Sequence, residues 1–187
     1  VDGTELLIWG GTDGFCYGYK NETVKDADGY DLFQPLWKVD CNEPNYRKDK
    51  DGKKIPYATP PGPSELIGTP VLYKDKVYCA IGQDPEHGDG VGRLSCIDVK
   101  NGKVLWKYTD VGRTISTVSV ADDLVYLAEY SGIIHCLDAH SGKVYWTHDS
   151  FSRIWGSTLV VDGKLILGNE DGDLLIMDQG KRKQKVE

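Results

Sequence analysis

The sequence predicts an all-β protein built from about four repeats, each folding as a four-stranded antiparallel sheet. A glycine followed six residues later by an aspartate recurs every 40 residues, at Gly92/Asp98, Gly132/Asp138 and Gly172/Asp178. A fixed period of this length indicates a repeat architecture. A short apolar run rich in Val, Ile, Leu and Tyr precedes each glycine and is bounded by turn residues, which favours strands over helices.

The first repeat lies at the N-terminus and is placed at residues 1–41. Its run Leu7 to Gly10 begins seven residues before Gly14, the spacing that also separates Val125 from Gly132. Lys20 stands where the other repeats have the aspartate. A polar stretch rich in proline follows at residues 42–64, and we predict an extended loop between blades that covers one mouth of a ring.

The second and third repeats, at residues 65–110 and 114–150, continue with the pattern Asp-x3-Gly-x3-Trp. The pattern is formed by Asp98, Gly102 and Trp106, and again by Asp138, Gly142 and Trp146. We expect the aspartate to accept hydrogen bonds from the turn backbone, the glycine to adopt a positive φ, and the tryptophan to lie on the fourth strand. Tight hairpins are predicted at 74–75 and 122–123.

The fourth repeat, at residues 154–187, keeps Gly172 and Asp178, shortens the following turn and has Val186 in the tryptophan position. A hairpin is predicted at 162–163. After each repeat glycine, alternation predicts a half-buried strand with one apolar face. The predicted apolar face holds Leu94, Cys96, Ile134, Cys136, Leu174 and Ile176, and the other face holds Arg93, Ser95, His135 and Asp173.

Repeats of about 40 residues with four strands are typical of β-propeller blades, so we predict a single β-propeller domain over residues 1–187. The repeated residues resemble the pyrroloquinoline-quinone (PQQ)-like β-propeller repeat family, whose blades carry the core G-x4-ϕ-D-x3-G-K-ϕ-ϕ-W, where ϕ is apolar. The resemblance implies that Trp37, Trp106 and Trp146 dock against the neighbouring blade. It also implies a ring of seven or eight blades, of which this chain would form part.

The resemblance implies two classes of function. One is a non-catalytic scaffold that binds other proteins, as in the lipoprotein of the bacterial outer-membrane assembly machinery. The other is a PQQ-dependent alcohol dehydrogenase, in which calcium and a pair of adjacent cysteines hold the quinone. This sequence has no adjacent cysteines. We therefore predict a protein-interaction or assembly scaffold without catalytic or cofactor-binding residues, in the periplasm or cell envelope. A dehydrogenase fragment with PQQ or calcium, and a ligand-sensing domain, stay as alternatives.

The net charge and the cysteines indicate which classes of partner, metal site and disulfide to expect. The net charge of −7 argues against nucleic acid, and no stretch reads as a transmembrane helix. Open sheet edges favour self-association. Five cysteines without a C-x-x-C pair indicate neither a zinc site nor a complete disulfide framework. Cys96 and Cys136 are predicted to be buried, and Cys41, placed in a loop, is predicted to be the most exposed thiol.

Departures from the repeat supply the candidate functional residues. An insertion at residues 83–90 carries Asp84, Glu86, His87 and Asp89, which are candidate ligands for a divalent cation, although a solvated loop or a partner-contact loop explains them too. Residues 26–31 and 49–52 resemble the opening of a calcium loop without its final Glu, and Asp-Gly turns explain both. Arg113, Arg153 and Trp155 lie between blades and are the candidate partner contacts.

Overall fold

A computed structural model describes Gly3 and residues 5–182 of the chain. Fourteen strands in this part form four antiparallel sheets that follow one another in chain order. The helical structure is one short helix, α1 (Pro44–Arg47), and a single 3₁₀ turn at Pro85–His87. Among these residues no helix has the length and apolar character needed to cross a membrane. The chain is thus an arc of about four propeller blades, and Val186 lies outside the described residues.

The first sheet has three described strands, β1 (Leu6–Gly10), β2 (Phe15–Lys25) and β3 (Asp31–Asp40). Strands β2 and β3 form a long hairpin whose turn contains the segment that resembled a calcium loop. Asp26 Oδ1 accepts hydrogen bonds from the backbone N–H groups of Asp28 and Tyr30, both at 2.9 Å. Gly29 has a φ of 87°. The carboxylate of Asp26 therefore stabilises a hairpin turn.

The two middle sheets each have four strands, and the last has three described strands. The second sheet contains β4 (Val71–Tyr73), β5 (Lys76–Ala80), β6 (Leu94–Asp98) and β7 (Val104–Tyr108). The third contains β8 (Ser119–Ala121), β9 (Leu124–Ala128), β10 (Ile133–Asp138) and β11 (Val144–Asp149). The fourth contains β12 (Leu159–Val161), β13 (Lys164–Gly168) and β14 (Leu174–Asp178).

The repeated turn residues act as their spacing predicts. Gly102 and Gly142 both have a φ of 72°. Asp98 Oδ1 accepts a hydrogen bond from the Lys100 N–H at 2.9 Å, and Asp138 Oδ1 accepts one from the Ser141 N–H at 2.9 Å. The predicted hairpins also form, with positive φ values at Lys74, Asp122, Asp123, Asp162 and Gly163.

Each tryptophan at this repeat position joins one sheet to the next. Trp37 Nε1 donates to the backbone carbonyl of Val99 at 2.9 Å, Trp106 Nε1 to that of Ala139 at 3.0 Å, and Trp146 Nε1 to that of Gly180 at 2.9 Å. All three acceptors lie just after the third strand of the following repeat. The predicted docking of the tryptophans between blades is confirmed, and buried apolar clusters surround these contacts.

The prediction of half-buried strands is wrong for the middle sheets. Ser95 and His135 were assigned to the polar face, yet they are only 0% and 3% exposed. A middle sheet packs against a neighbour on both sides, so both of its faces are buried. In β14 the predicted inner face is also wrong, because Leu175 and Met177 are buried and Leu174 is exposed. Among the described residues the fourth sheet packs against the third, and Leu174, Leu159 and Val161 on its other face are exposed.

The two end sheets expose apolar side chains on their outward faces. On the first sheet these include Leu7, Trp9 and Phe33, and on the fourth Leu159, Val161 and Leu174. A groove of about 630 Å³ runs between β1 and residues 66–70 on the first sheet. Self-association through open sheet edges stays a prediction, as does membership of a seven- or eight-bladed ring.

Candidate functional site

Two departures from the repeat, residues 42–64 and 83–90, lie on one face of the arc, which we call the loop face. It carries the loop between β1 and β2, the loops between the second and third strands of the other three sheets, and the linkers between sheets. The linkers hydrogen-bond to these loops in each repeat: Leu66 N–H to Gly11 O at 3.2 Å, Tyr130 N–H to Arg113 O at 2.9 Å, and Glu170 N–H to Arg153 O at 2.8 Å. The repeats therefore place the linkers and the insertion side by side.

Residues 42–64 and 83–90 fold together over the first two sheets, and we call them the cap. Gln83 links the two segments, since its Oε1 accepts from the Ala58 N–H at 2.9 Å and its Nε2 donates to Pro63 O at 2.6 Å. Asn42 and Ser64 close the base of the proline-rich segment through two reciprocal hydrogen bonds of 2.8 and 2.7 Å. The proline-rich loop is thus fixed in place on this face.

Arg113 lies beneath the cap and is only 2% exposed. Its Nε donates to Ser64 Oγ at 3.1 Å, its Nη1 to the His87 carbonyl at 3.4 Å, and its Nη2 to the Thr59 carbonyl. Burial lowers the pKa of this guanidinium. Arg113 joins both segments of the cap to the linker, so it is not available as the partner-contact residue that its sequence position suggested.

The acidic insertion does not gather its candidate ligands around one point. Asp84, Glu86, His87 and Asp89 are exposed, and Asp84 Oδ1 accepts a hydrogen bond from the Glu86 N–H at 2.9 Å. Within the described residues no group of three or more His, Cys, Asp or Glu side chains is placed to hold a metal ion. Metal binding by this loop stays an untested prediction.

Arg153 and Trp155 lie in the open on the loop face. Arg153 is exposed, and its Nη1 donates to the Tyr130 hydroxyl at 2.5 Å, with the guanidinium 4.9 Å from the centre of the Tyr130 ring. Trp155 is 49% exposed and meets the same ring edge to face, 5.3 Å between centroids. Tyr130 itself is buried, so it anchors both side chains. We call this pair of exposed residues the Arg153–Trp155 patch.

The patch exists because the cap ends before the third linker. Arg113 and Arg153 are 40 residues apart and occupy the same repeat position. The insertion in the second repeat covers Arg113, whereas the third and fourth repeats have short loops that leave Arg153 uncovered. Phe151, two residues before Arg153, is 89% exposed and has a φ of 59°, a left-handed conformation that is costly for a bulky residue.

A buried polar chain between the second and third sheets was missed by the sequence reasoning. The Tyr108 hydroxyl lies 3.2 Å from His135 Nδ1, and His135 Nε2 lies 2.6 Å from Glu129 Oε1. Ser131 Oγ donates to Glu129 Oε2 at 2.7 Å. Burial raises the pKa of Tyr108 to about 12, so its hydroxyl keeps a proton to share with the imidazole. A glutamate directly after an apolar strand was the available signal.

A family model described as outer membrane protein assembly factor BamB matches residues 90–185, just over half of the chain. The chain belongs to this BamB family. No curated protein matches it.

Several solved structures have the same fold as the BamB-family chain at low sequence identity. BamB from Moraxella catarrhalis is 19% identical, with a TM-score of 0.61, over 97% of this chain and 45% of that one. The computationally designed Ika4 protein is 14% identical, with a TM-score of 0.59, over 94% and 86%. A europium-containing methanol dehydrogenase is 18% identical, with a TM-score of 0.50, over 66% and 24%. The chain thus spans less than half the length of the BamB that it matches.

The Glu129 carboxylate gives the BamB-family chain a testable pH dependence. Burial would raise the pKa of Glu129, but hydrogen bonds from His135 and Ser131 outweigh it and hold the pKa below the usual 4.5. A lowered pKa stabilises the fold above about pH 4.5, and this contribution is lost as the pH falls through the folded-state value. We expect wild type to lose more free energy of unfolding between about pH 6 and about pH 3 than Glu129→Gln does.

Urea denaturation at several pH values measures this difference. At neutral pH, Glu129→Gln should be less stable by about 1–3 kcal/mol, because a buried charge-assisted hydrogen bond is weakened. Glu170→Gln, at an exposed position on the next loop, serves as control and should leave the pH profile unchanged. Parallel profiles for wild type and Glu129→Gln would show that Glu129 is not coupled to folding.

Proposed function

We propose that this BamB-family chain is a non-catalytic scaffold that binds partner proteins through the Arg153–Trp155 patch. One observation carries the proposal: an exposed tryptophan and an exposed arginine are both held against the buried ring of Tyr130 on the loop face. The family description, an assembly factor of the outer membrane, supports an assembly role and a place in the periplasm or cell envelope.

The chemistry of the patch suits a protein partner. Tryptophan and arginine are enriched among the residues that dominate binding energy at protein interfaces. Because Tyr130 already fixes both side chains, little conformational entropy is lost when a partner covers them. The indole offers an apolar surface, and the guanidinium keeps further N–H groups for a carboxylate or backbone carbonyl. An extended peptide segment with an apolar side chain next to such an acceptor fits this pair.

As part of the same proposal, the scaffold works without a cofactor. The dehydrogenase alternative rests on likeness of fold alone, since the methanol dehydrogenase matches at 18% identity over part of the chain. No feature of the loop face favours the ligand-sensing alternative over protein binding. Titration of PQQ, with and without calcium, into the protein gives a direct test, and saturable calcium-dependent binding would contradict this part of the proposal.

We expect Trp155→Ala to weaken capture of partner proteins by at least about tenfold, because interface tryptophans commonly contribute more than 1.4 kcal/mol. The measurement is affinity capture from the envelope fraction of the encoding organism, with the captured proteins quantified by mass spectrometry and their affinities then measured singly. Arg153→Ala should reduce the same set of proteins.

Tyr30→Ala is the matched control for an exposed aromatic residue. Tyr30 is 70% exposed at the tip of the hairpin between β2 and β3, away from the linkers between sheets. Its loss should leave capture unchanged. Equal capture by wild type and by a correctly folded Trp155→Ala would exclude the patch as the binding surface.

A further inference from the structure

Three of the five cysteines meet between the first and second sheets. Cys16 lies on β2, Cys79 on β5, and Cys41 directly follows β3, and all three belong to one buried apolar cluster. Cys41 is completely buried, so the sequence-based prediction that it is the most exposed thiol is wrong. The residues around position 41 are not a free loop, because the cap covers them.

Cys41 and Cys79 face each other across the boundary between the sheets. Their sulfur atoms are 3.6 Å apart. Cys41 directly follows the last strand of the first sheet, and Cys79 lies on the second strand of the second sheet. A bond between them would therefore cross-link two blades. Bonded disulfide sulfurs lie about 2.05 Å apart, so the sulfurs of Cys41 and Cys79 would have to approach by about 1.5 Å. Small rotations of the two side chains are enough for a movement of this size.

Polar groups around Cys41 favour its ionised form. The hydrogen bond with Cys79 and the nearby positive charge of Arg93 lower the pKa of the Cys41 thiol, and the Ser95 hydroxyl acts in the same direction. Apart from that sulfur, the Ser95 hydroxyl has no hydrogen-bond partner among the residues that the structure describes. The neighbouring thiols of Cys16 and Cys41 raise the pKa of Cys79. Cys41 is thus the thiol of the pair that ionises more readily, and it attacks while the sheets are docking and the external disulfide can still reach it.

We propose that Cys41 and Cys79 form a disulfide that fastens the first sheet to the second, with Cys16 remaining a thiol. The oxidant is an external disulfide, such as oxidised glutathione. The Cys41 thiolate attacks one sulfur of the external disulfide, forms a mixed disulfide and releases the first external thiol. Cys79 then gives up its proton, attacks the Cys41 sulfur of the mixed disulfide and releases the second external thiol. Two protein thiols are oxidised, and one external disulfide is reduced to two thiols that take up the two protons.

The bond would join two residues 38 positions apart in sequence and close a loop that contains the whole proline-rich segment of the cap. Both sulfurs are buried, so the bond forms as the sheets dock and is afterwards shielded from reductants. Such disulfides persist in oxidising compartments. This inference is independent of the proposed partner binding, because it rests on contacts beneath the cap and not on the Arg153–Trp155 patch.

The test is differential alkylation of the full chain after refolding from urea in a glutathione redox buffer. Free thiols are first blocked with one reagent in denaturant. The protein is then reduced, and the newly released thiols are labelled with a second reagent. The labelled peptides are identified by mass spectrometry. We expect Cys16, Cys96 and Cys136 to carry the first label and Cys41 and Cys79 the second. Reduction should lower the thermal midpoint by about 8–15 °C.

Two variants separate this pairing from its alternative. Cys16→Ala should keep the protected pair, and Cys41→Ala should yield four free thiols. A protected pair in Cys41→Ala would indicate a bond between Cys16 and Cys79 and would overturn the proposal, as would five free thiols in the wild type. If either variant fails to fold, the peptide map of the wild-type chain decides the pairing alone.

Discussion

Replacing Trp37 with alanine is expected to lower the free energy of unfolding by about 3–5 kcal/mol, the cost of truncating a large buried aromatic side chain. Trp37 is only 7% exposed. Its ring fills the space over two glycines: a Cβ at Gly18 would lie 2.2 Å, and one at Gly102 2.7 Å, from the nearest atom of Trp37. Removing the ring leaves a cavity between the first two sheets and leaves the Val99 carbonyl without its donor.

Two further variants isolate the contributions of burial and hydrogen bonding. Trp37→Phe keeps an aromatic ring and loses the N–H, so we expect a smaller loss of about 1–3 kcal/mol. Trp9→Ala removes a tryptophan of the same sheet that is 67% exposed, and we expect a change below about 1 kcal/mol. Urea denaturation followed by circular dichroism measures all three. Equal losses for Trp37→Ala and Trp9→Ala would refute the role assigned to the buried ring.

Replacing Arg113 with alanine is expected to release the cap and to cost about 2–4 kcal/mol, because three acceptors, one of them on the buried Ser64, lose a charged donor at once. The acceptors are Ser64 Oγ and the carbonyls of His87 and Thr59. Hydrogen exchange should rise in residues 56–64 and 83–90 and stay unchanged in the third and fourth sheets. Urea denaturation gives the accompanying loss of stability.

Arg153→Ala is the matched control, since it removes the same side chain from the same repeat position 40 residues later. Arg153 is exposed and its side chain donates to the Tyr130 hydroxyl, so a loss below about 1 kcal/mol is expected. The cap should keep its protection in this variant. A cap that exchanges no faster in Arg113→Ala than in Arg153→Ala would mean that Gln83 and the prolines hold it without the guanidinium.

The repeat itself could be predicted from the sequence because it is set by local chemistry. The 40-residue period, the hairpin residues and the Asp-x3-Gly-x3-Trp turns each depend on a few neighbouring residues, and the structure has them as predicted. The docking of Trp37 on the next sheet also followed, through the resemblance to a known family of repeats.

The remaining features depend on which sheets lie beside each residue, which a single repeat does not encode. Ser95 is polar in an alternating strand, yet a sheet on each side buries it. Leu174 is apolar, yet it is exposed, because within the described residues the fourth sheet has a neighbouring sheet on one side alone. Arg113 and Arg153 are equivalent in sequence and differ only because an insertion from another loop covers one of them. The same insertion and the proline-rich loop account for the burial of Cys41.

The hydrogen bonds made by the three tryptophans all point the same way along the chain, from each sheet to the following one. The arc consequently has a polarity, and its two ends are not equivalent. Removing the first sheet would uncover the Val99 carbonyl, which water solvates readily. Removing the fourth sheet would expose the apolar indole ring of Trp146 to water and take away the Gly180 carbonyl that accepts a hydrogen bond from its N–H. As far as these hydrogen bonds are concerned, the first sheet supplies a donor to the sheet that follows it, and the fourth sheet covers the indole of the sheet before it.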